Sequence, residues 1–105
     1  MKIAIPLFQE RVSPHFGSSC EVLIVETKGV SYQEGIYKLQ GQTPMKLAQG
    51  LLGLEVEMII CGGIQKYWRE WLIQKGMKVL DNQSGSARTI VKDLIKKGNP
   101  KKQGG

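Results

Sequence analysis

The stretch Val56-Glu57-Met58-Ile59-Ile60-Cys61-Gly62-Gly63-Ile64-Gln65 decides the fold class. Its first half is a short apolar run, too short for a helix, and reads as a strand buried on both faces. Gly62-Gly63 breaks the run. Ile64, Trp68, Trp71 and Leu72 then recur at helical spacing until Gly76. A strand that passes through a glycine turn into a helix is a βα unit, the building block of an α/β sheet.

Working outward, the same alternation continues toward the C-terminus. Lys78–Leu80 reads as a short strand, and Ser84 or Ser86 caps a helix with Ala87, Ile90, Val91, Leu94 and Ile95 on one face, closed by Gly98. On the other side, Thr43 is an N-cap with Pro44 at the first helical position. Met45, Ala48, Leu51 and Leu52 give that helix its apolar face, and Gly53 ends it. The first forty residues are of another kind. Lys2–Pro6, Cys20–Thr27 and Val30–Leu39 read as strands. Lys28-Gly29 joins the last two as an antiparallel hairpin, and the polar third strand suits a sheet edge. The predicted order is β-β-β-α-β-α-β-α: a mixed five-stranded sheet in one domain, antiparallel at one edge and parallel at the other, with helices on its faces. The two most hydrophobic strands, the first and the fourth, belong at its centre.

Length and charge bound the rest. The 105 residues fit one domain, and 41% hydrophobic with 23% charged residues is ordinary for a globular chain. The net charge of +6 is not evenly spread. Residues 85–105 hold six Lys and Arg against Asp93 alone, or +5, which leaves +1 for the first 84 residues. The basicity belongs to the last helix and a polar tail, Asn99–Gly105, expected to be disordered. A uniform nucleic-acid footprint is therefore not expected, and no apolar run approaches the ~20 residues that span a bilayer. Cys20 and Cys61 form no metal-binding spacing. With no secretory signal, they read as thiols of a soluble cytoplasmic protein rather than a disulfide.

Ligands of α/β sheets gather at the carboxyl ends of central parallel strands. Two loops leave those ends: Gln9 to Gly17 after the first strand, and Cys61 to Gln65 after the fourth. They are expected to meet on one rim. Gly62-Gly63 opens a helix N-terminus, where free N–H groups and the dipole favour an anion, and glycine permits positive φ and close ligand approach; two glycines alone are more often a tight ligand-free turn. His15 is the single histidine. A lone loop histidine is commonly a turn residue, yet its place between Pro14 and Phe16-Gly17 makes it a candidate ligand for a soft metal. Cys61 is a second candidate metal ligand, with burial as a small hydrophobe the alternative. Nothing resembles a phosphate loop, a dinucleotide fingerprint or a nucleophilic triad, so the chain is expected not to be an enzyme. Trp68 and Trp71 share a face with Ile64 and Leu72 and read as core.

Four segments together resemble one family. Met1-Lys2-Ile3-Ala4-Ile5-Pro6, Val12-Ser13-Pro14-His15-Phe16-Gly17, Ile59-Ile60-Cys61-Gly62-Gly63-Ile64 and Gly76-Met77-Lys78-Val79 are similar to the dinitrogenase iron–molybdenum cofactor-binding family, the domain of NifX-type carriers and of the C-terminal part of NifB-type proteins. The resemblance covers residues 1–97 and leaves 98–105 as tail. It implies a ribonuclease-H-like fold that binds, carries or stores an anionic iron–sulfur or molybdenum–sulfur cluster or its precursor, with cluster-assembly or acceptor proteins as partners. Onto this chain it carries Ser13, Pro14, His15, Phe16, Gly17, Gly62, Gly63 and Ile64. Gln65 joins them through its backbone N–H at the helix start. The alternative is a cluster-free interaction or regulatory module of the same fold. A nuclease would need a carboxylate on the first strand to help hold metal ions, and residues 1–9 have none.

Overall fold

The computed structural model describes residues 1–18, 21–29, 31–39 and 43–96. The expected strand starts at Cys20 and Val30, the helix stop Gly98 and the tail Asn99–Gly105 lie outside the described residues. Six strands and three helices follow in the order β1 (Lys2–Phe8), β2 (Arg11–Val12), β3 (Glu21–Lys28), β4 (Ser31–Lys38), α1 (Pro44–Gly53), β5 (Met58–Ile60), α2 (Lys66–Gln74), β6 (Lys78–Leu80) and α3 (Ala87–Lys96). The sheet runs β4-β3-β1-β5-β6, with β2 attached to β1. β3 runs antiparallel to both β1 and β4, while β1, β5 and β6 are parallel. This is the mixed α/β sheet expected from the sequence, with β1 at its centre and β5 beside it.

The sixth strand, β2, was not expected. It forms because Gln9 and Glu10 both adopt positive φ, 53° and 67°, and fold the chain back onto the end of β1. Neither residue type favours that conformation, so the turn leaves no mark in the sequence.

Alternation along the strands builds two cores. Ala4, Val22, Ile24 and Ile59 face α1 and α2, where they pack with Leu47, Ala48, Leu51 and Leu72. Ile3, Ile5, Leu7, Leu23, Val25 and Ile60 face α3, against Ala87 and Val91. β1 is covered on both faces, which explains its continuous apolar run. One expected helix face is displaced. In α1 the buried residues are Leu47, Ala48 and Leu51, while Met45 and Leu52 are exposed. The segment Pro44–Gly53 has few polar residues, so spacing alone does not fix its inner side. Ser86 is the cap of α3, its Oγ accepting from the Thr89 N–H at 3.3 Å.

Candidate functional site

The site begins where β1 and β5 part. They pair only at Ile3–Met58 and Ala4–Ile59. Beyond that point the crevice between them is filled by the chain itself. β2 lies along Leu7 and Phe8, and the Ser13 N–H donates to the Pro6 carbonyl at 2.9 Å. The following residues then run parallel to the end of β5: Gly63 N–H donates to the Pro14 carbonyl at 2.7 Å, and Phe16 N–H to the Gly63 carbonyl at 2.8 Å. The two loops do meet on one rim, with His15 and Gly63 directly paired.

This wedge explains the glycines. A Cβ on Gly62 would lie 2.5 Å from the Ser13 carbonyl oxygen and 2.9 Å from Pro14 Cα. One on Gly63 would stand 3.2 Å from the Pro14 carbonyl oxygen. Neither glycine has the positive φ that the sequence reading allowed for. Their smallness lets two backbones touch. On the far side, Gly17 does adopt positive φ, +96°, and a Cβ there would collide with Pro44 at the start of α1. The loop Pro14–Gly17 thus bridges the N-termini of α1 and α2.

The candidate residues divide by burial. Ser13 is buried, and its Oγ donates to the His15 carbonyl at 3.1 Å, an oxygen that also accepts from Ser18 Oγ at 2.8 Å. Phe16 is buried in the α1–α2 core, so its side chain anchors the loop and does not face a ligand. Pro14, His15 and Gln65 are exposed on the rim, with Gly63 and Ile64 half-buried. Cys61 is a correction. Its side chain is fully buried in the same core, and burial pushes the thiol up to about 12, with Asp81 adding to the rise and Arg69 opposing it. The structure places Cys61 as the small buried hydrophobe of the alternative reading, packed in the core rather than exposed on the rim. Among the described residues, no three His, Cys, Asp or Glu side chains come together as a metal cage.

Electrostatics at the rim come from the two helices. Thr43 caps α1 through its Oγ1, which accepts from the Lys46 N–H at 3.2 Å. α2 has no side-chain cap at Gln65. Neither helix has an acidic residue in its first turn, and Lys46 and Lys66 occupy those turns instead. A cation at a helix N-terminus opposes the dipole. Lys66 meets Glu70 only in an exposed pair at 3.9 Å, worth little in water.

A third loop, missed in the sequence reading, supports the rim from below. Asn82 N–H donates to the Gly62 carbonyl and Gln83 N–H to that of Cys61, both at 2.9 Å, while Val12 N–H donates to the Gly85 carbonyl. Asn82 and Gly85 hold positive φ there, so Ser84-Gly85 was the one available signal.

A mixed sheet whose central crevice is plugged by its own loop, with two helix N-termini beside that loop, defines a small α/β domain. The model of the dinitrogenase iron-molybdenum cofactor family matches residues 1–97, and the chain belongs to that family. Two solved structures share the fold. The protein PH0822 has a TM-score of 0.83 at 21% identity, over 90% of this chain and 88% of that one. A protein of Methanocaldococcus jannaschii, named as a candidate dinitrogenase, has a TM-score of 0.72 at 16% identity, over 93% of this chain and 90% of that one. No protein of curated function matches the chain.

Proposed function

We propose that this protein binds an anionic iron–sulfur or molybdenum–iron–sulfur cluster, or a precursor of one, at the rim formed by Ser13–Gly17 and Gly62–Gln65, and carries it without transforming it. One observation supports this most: the loop holding His15 lies between two helix N-termini that have no carboxylate in their first turns, and that of α2 has no side-chain cap and begins with Lys66. First-turn N–H groups, two dipoles and two lysines make a surface for a polyanion. In this reading the cargo is held by backbone donors and one imidazole, an arrangement that allows release to an acceptor protein. His15 is the side-chain ligand in this reading. Ser13, Phe16, Gly17, Gly62 and Gly63 shape the loop, and Cys61 belongs to the core.

The ribonuclease-H-like fold type is part of the same proposal. It is supported by an antiparallel three-strand unit, β1-β3-β4, extended by parallel β5 and β6. A nuclease activity has no support, since β1 carries no carboxylate. A cytoplasmic location and a non-enzymatic role are likewise inferred. No helix among the described residues is long and apolar enough to cross a membrane.

Anaerobic reconstitution tests the proposal. The parent chain is expected to acquire visible absorbance and bound metal. His15→Ala should retain cluster ~10–100-fold less tightly, as for loss of a ligand or its support, with the fold unchanged because the residue is exposed. A parent chain that stays colourless and metal-free would favour the cluster-free module.

A further inference from the structure

β4 ends the sheet with eight residues paired to β3 without a break in register, from Ser31 to Lys38. Proteins usually blunt such an edge with a proline, a bulge or repeated charges. This strand has no proline and no bulge. Its hydrogen-bonding phase follows from the far side of β3. Thr27 N–H donates to the Met1 carbonyl at 2.9 Å, and the Met1 amino group donates to the Thr27 carbonyl at 3.0 Å, so Thr27 faces β1. Alternation then turns Glu26 and Lys28 toward β4, and their partners Gln33 and Ser31 back toward β3. The backbone groups of Tyr32, Glu34, Ile36 and Lys38 are left pointing outward. Ile36 is 47% exposed.

We propose that β4 is the interface of a two-fold dimer, in which two copies pair antiparallel about Ile36. A symmetric edge pair that keeps this phase overlaps five or more residues in four registers. With the axis at residue 33, Ile36 lies outside the paired stretch and no opposite charges meet. With the axis at residue 34, Glu34 faces the partner's Glu34, and like charges directly opposite are unfavourable. With the axis at residue 35, Glu34 faces the apolar Ile36 of the partner subunit. With the axis at residue 36, Ile36 packs on the partner's Ile36, and Glu34 faces the partner's Lys38 twice by symmetry. In that register Tyr37 also lies opposite the partner's Gly35, where no side chain competes for space. The strand is thus self-complementary in charge, in apolar contact and in backbone phase at once. Glu34 already meets Arg88 of α3, so in the dimer its carboxylate is shared between Arg88 and the partner's Lys38. Continuing the sheet in this way puts both α3 helices on one face and leaves the two cluster rims open at opposite ends. The dimer is independent of what those rims bind.

Sedimentation equilibrium of the full chain over a range of concentrations tests this. The parent chain is expected to reach about twice its mass of 11.7 kDa. Ile36→Pro removes an N–H that points outward and belongs to no internal ladder bond, which an edge strand tolerates, so this variant should be monomeric with an unchanged circular dichroism spectrum. If Ile36→Pro fails to fold, the charges decide. Lys38→Glu and Glu34→Lys should each associate roughly tenfold more weakly alone, and their equimolar mixture should restore the dimer, because the mixed edge sets opposite charges at both positions. A parent chain that stays monomeric, a dimer that survives Ile36→Pro, or a mixture without rescue overturns the proposal.

Discussion

Adding one methyl group at Gly62 tests how tightly the loop Ser13–Phe16 is wedged beside β5. In Gly62→Ala the new Cβ would stand 2.5 Å from the Ser13 carbonyl oxygen and 2.9 Å from both the carbonyl oxygen and Cα of Pro14. All three are backbone atoms, so no side-chain rotation relieves the clash. The loop must move. Forcing a methyl into packed structure costs about 1–3 kcal/mol. The hydrogen bonds of Gly63 N–H to Pro14 and of Phe16 N–H to Gly63 are stretched with it, at ~0.5–1.5 kcal/mol each. The alanine returns ~0.4–1 kcal/mol by restricting the unfolded chain. The balance is a loss of about 2–4 kcal/mol. For a domain of this size each kcal/mol moves the thermal midpoint by ~4–8 °C, so thermal unfolding followed by circular dichroism should show a fall of roughly 10–30 °C. Gly53→Ala is the control, because a Cβ there meets nothing within 4 Å and φ is not positive. It should raise the midpoint by a few degrees, as expected of Gly replaced in a helix. If Gly62→Ala unfolded within a degree or two of the parent, the loop would not be held against β5 and the site geometry would be wrong.

Two further outcomes follow from the same structure. Gln65→Asp supplies α2 with the side-chain cap it lacks, in backbone geometry suited to one; calorimetry should show a gain of ~0.5–2 kcal/mol, while cluster retention in the reconstitution assay falls because the new carboxylate occupies the helix donors. Cys61 titrates at about 12 in the folded chain against 9.0 when unperturbed, so the unfolded state ionises first as pH rises and the folded state loses stability between those values; the thermal midpoint of the parent should fall more steeply over that range than that of Cys61→Ala, and equal slopes would contradict the burial of the thiol.

Much of this was legible in the sequence because it rests on periodicity. β1, β3 and β5 announce themselves by apolar runs, and burial of β1 and β3 on both faces is why strict polar alternation is absent. The hairpin of β3 and β4 was marked by Lys28-Gly29, with Gly29 at φ 60°. The meeting of the two loops followed from strand order alone. What escaped depends on through-space contact. The turn at Gln9-Glu10 uses residues with no preference for positive φ. The inner face of α1 is chosen by Leu39 and its neighbours rather than by spacing. Gly62 and Gly63 do stand where the loops meet, but what their missing Cβ makes room for is the Ser13-Pro14 backbone, and neither adopts positive φ. His15 was placed correctly on the rim, whereas Cys61 and the side chain of Phe16 face the core, and a residue at a strand end cannot reveal which way it points until the neighbouring loop is known.

The claim that the rim holds the cargo is tested most directly by amide chemical-shift mapping of the isotopically labelled protein, titrated anaerobically with tetrathiomolybdate as a diamagnetic anionic probe. The account predicts that the largest shifts fall on His15 to Gly17, on Gly63 to Tyr67 and on the first turn of α1, and that they weaken in Gln65→Asp. Shifts concentrated on α3 or along β4, or none at saturating probe, would contradict it.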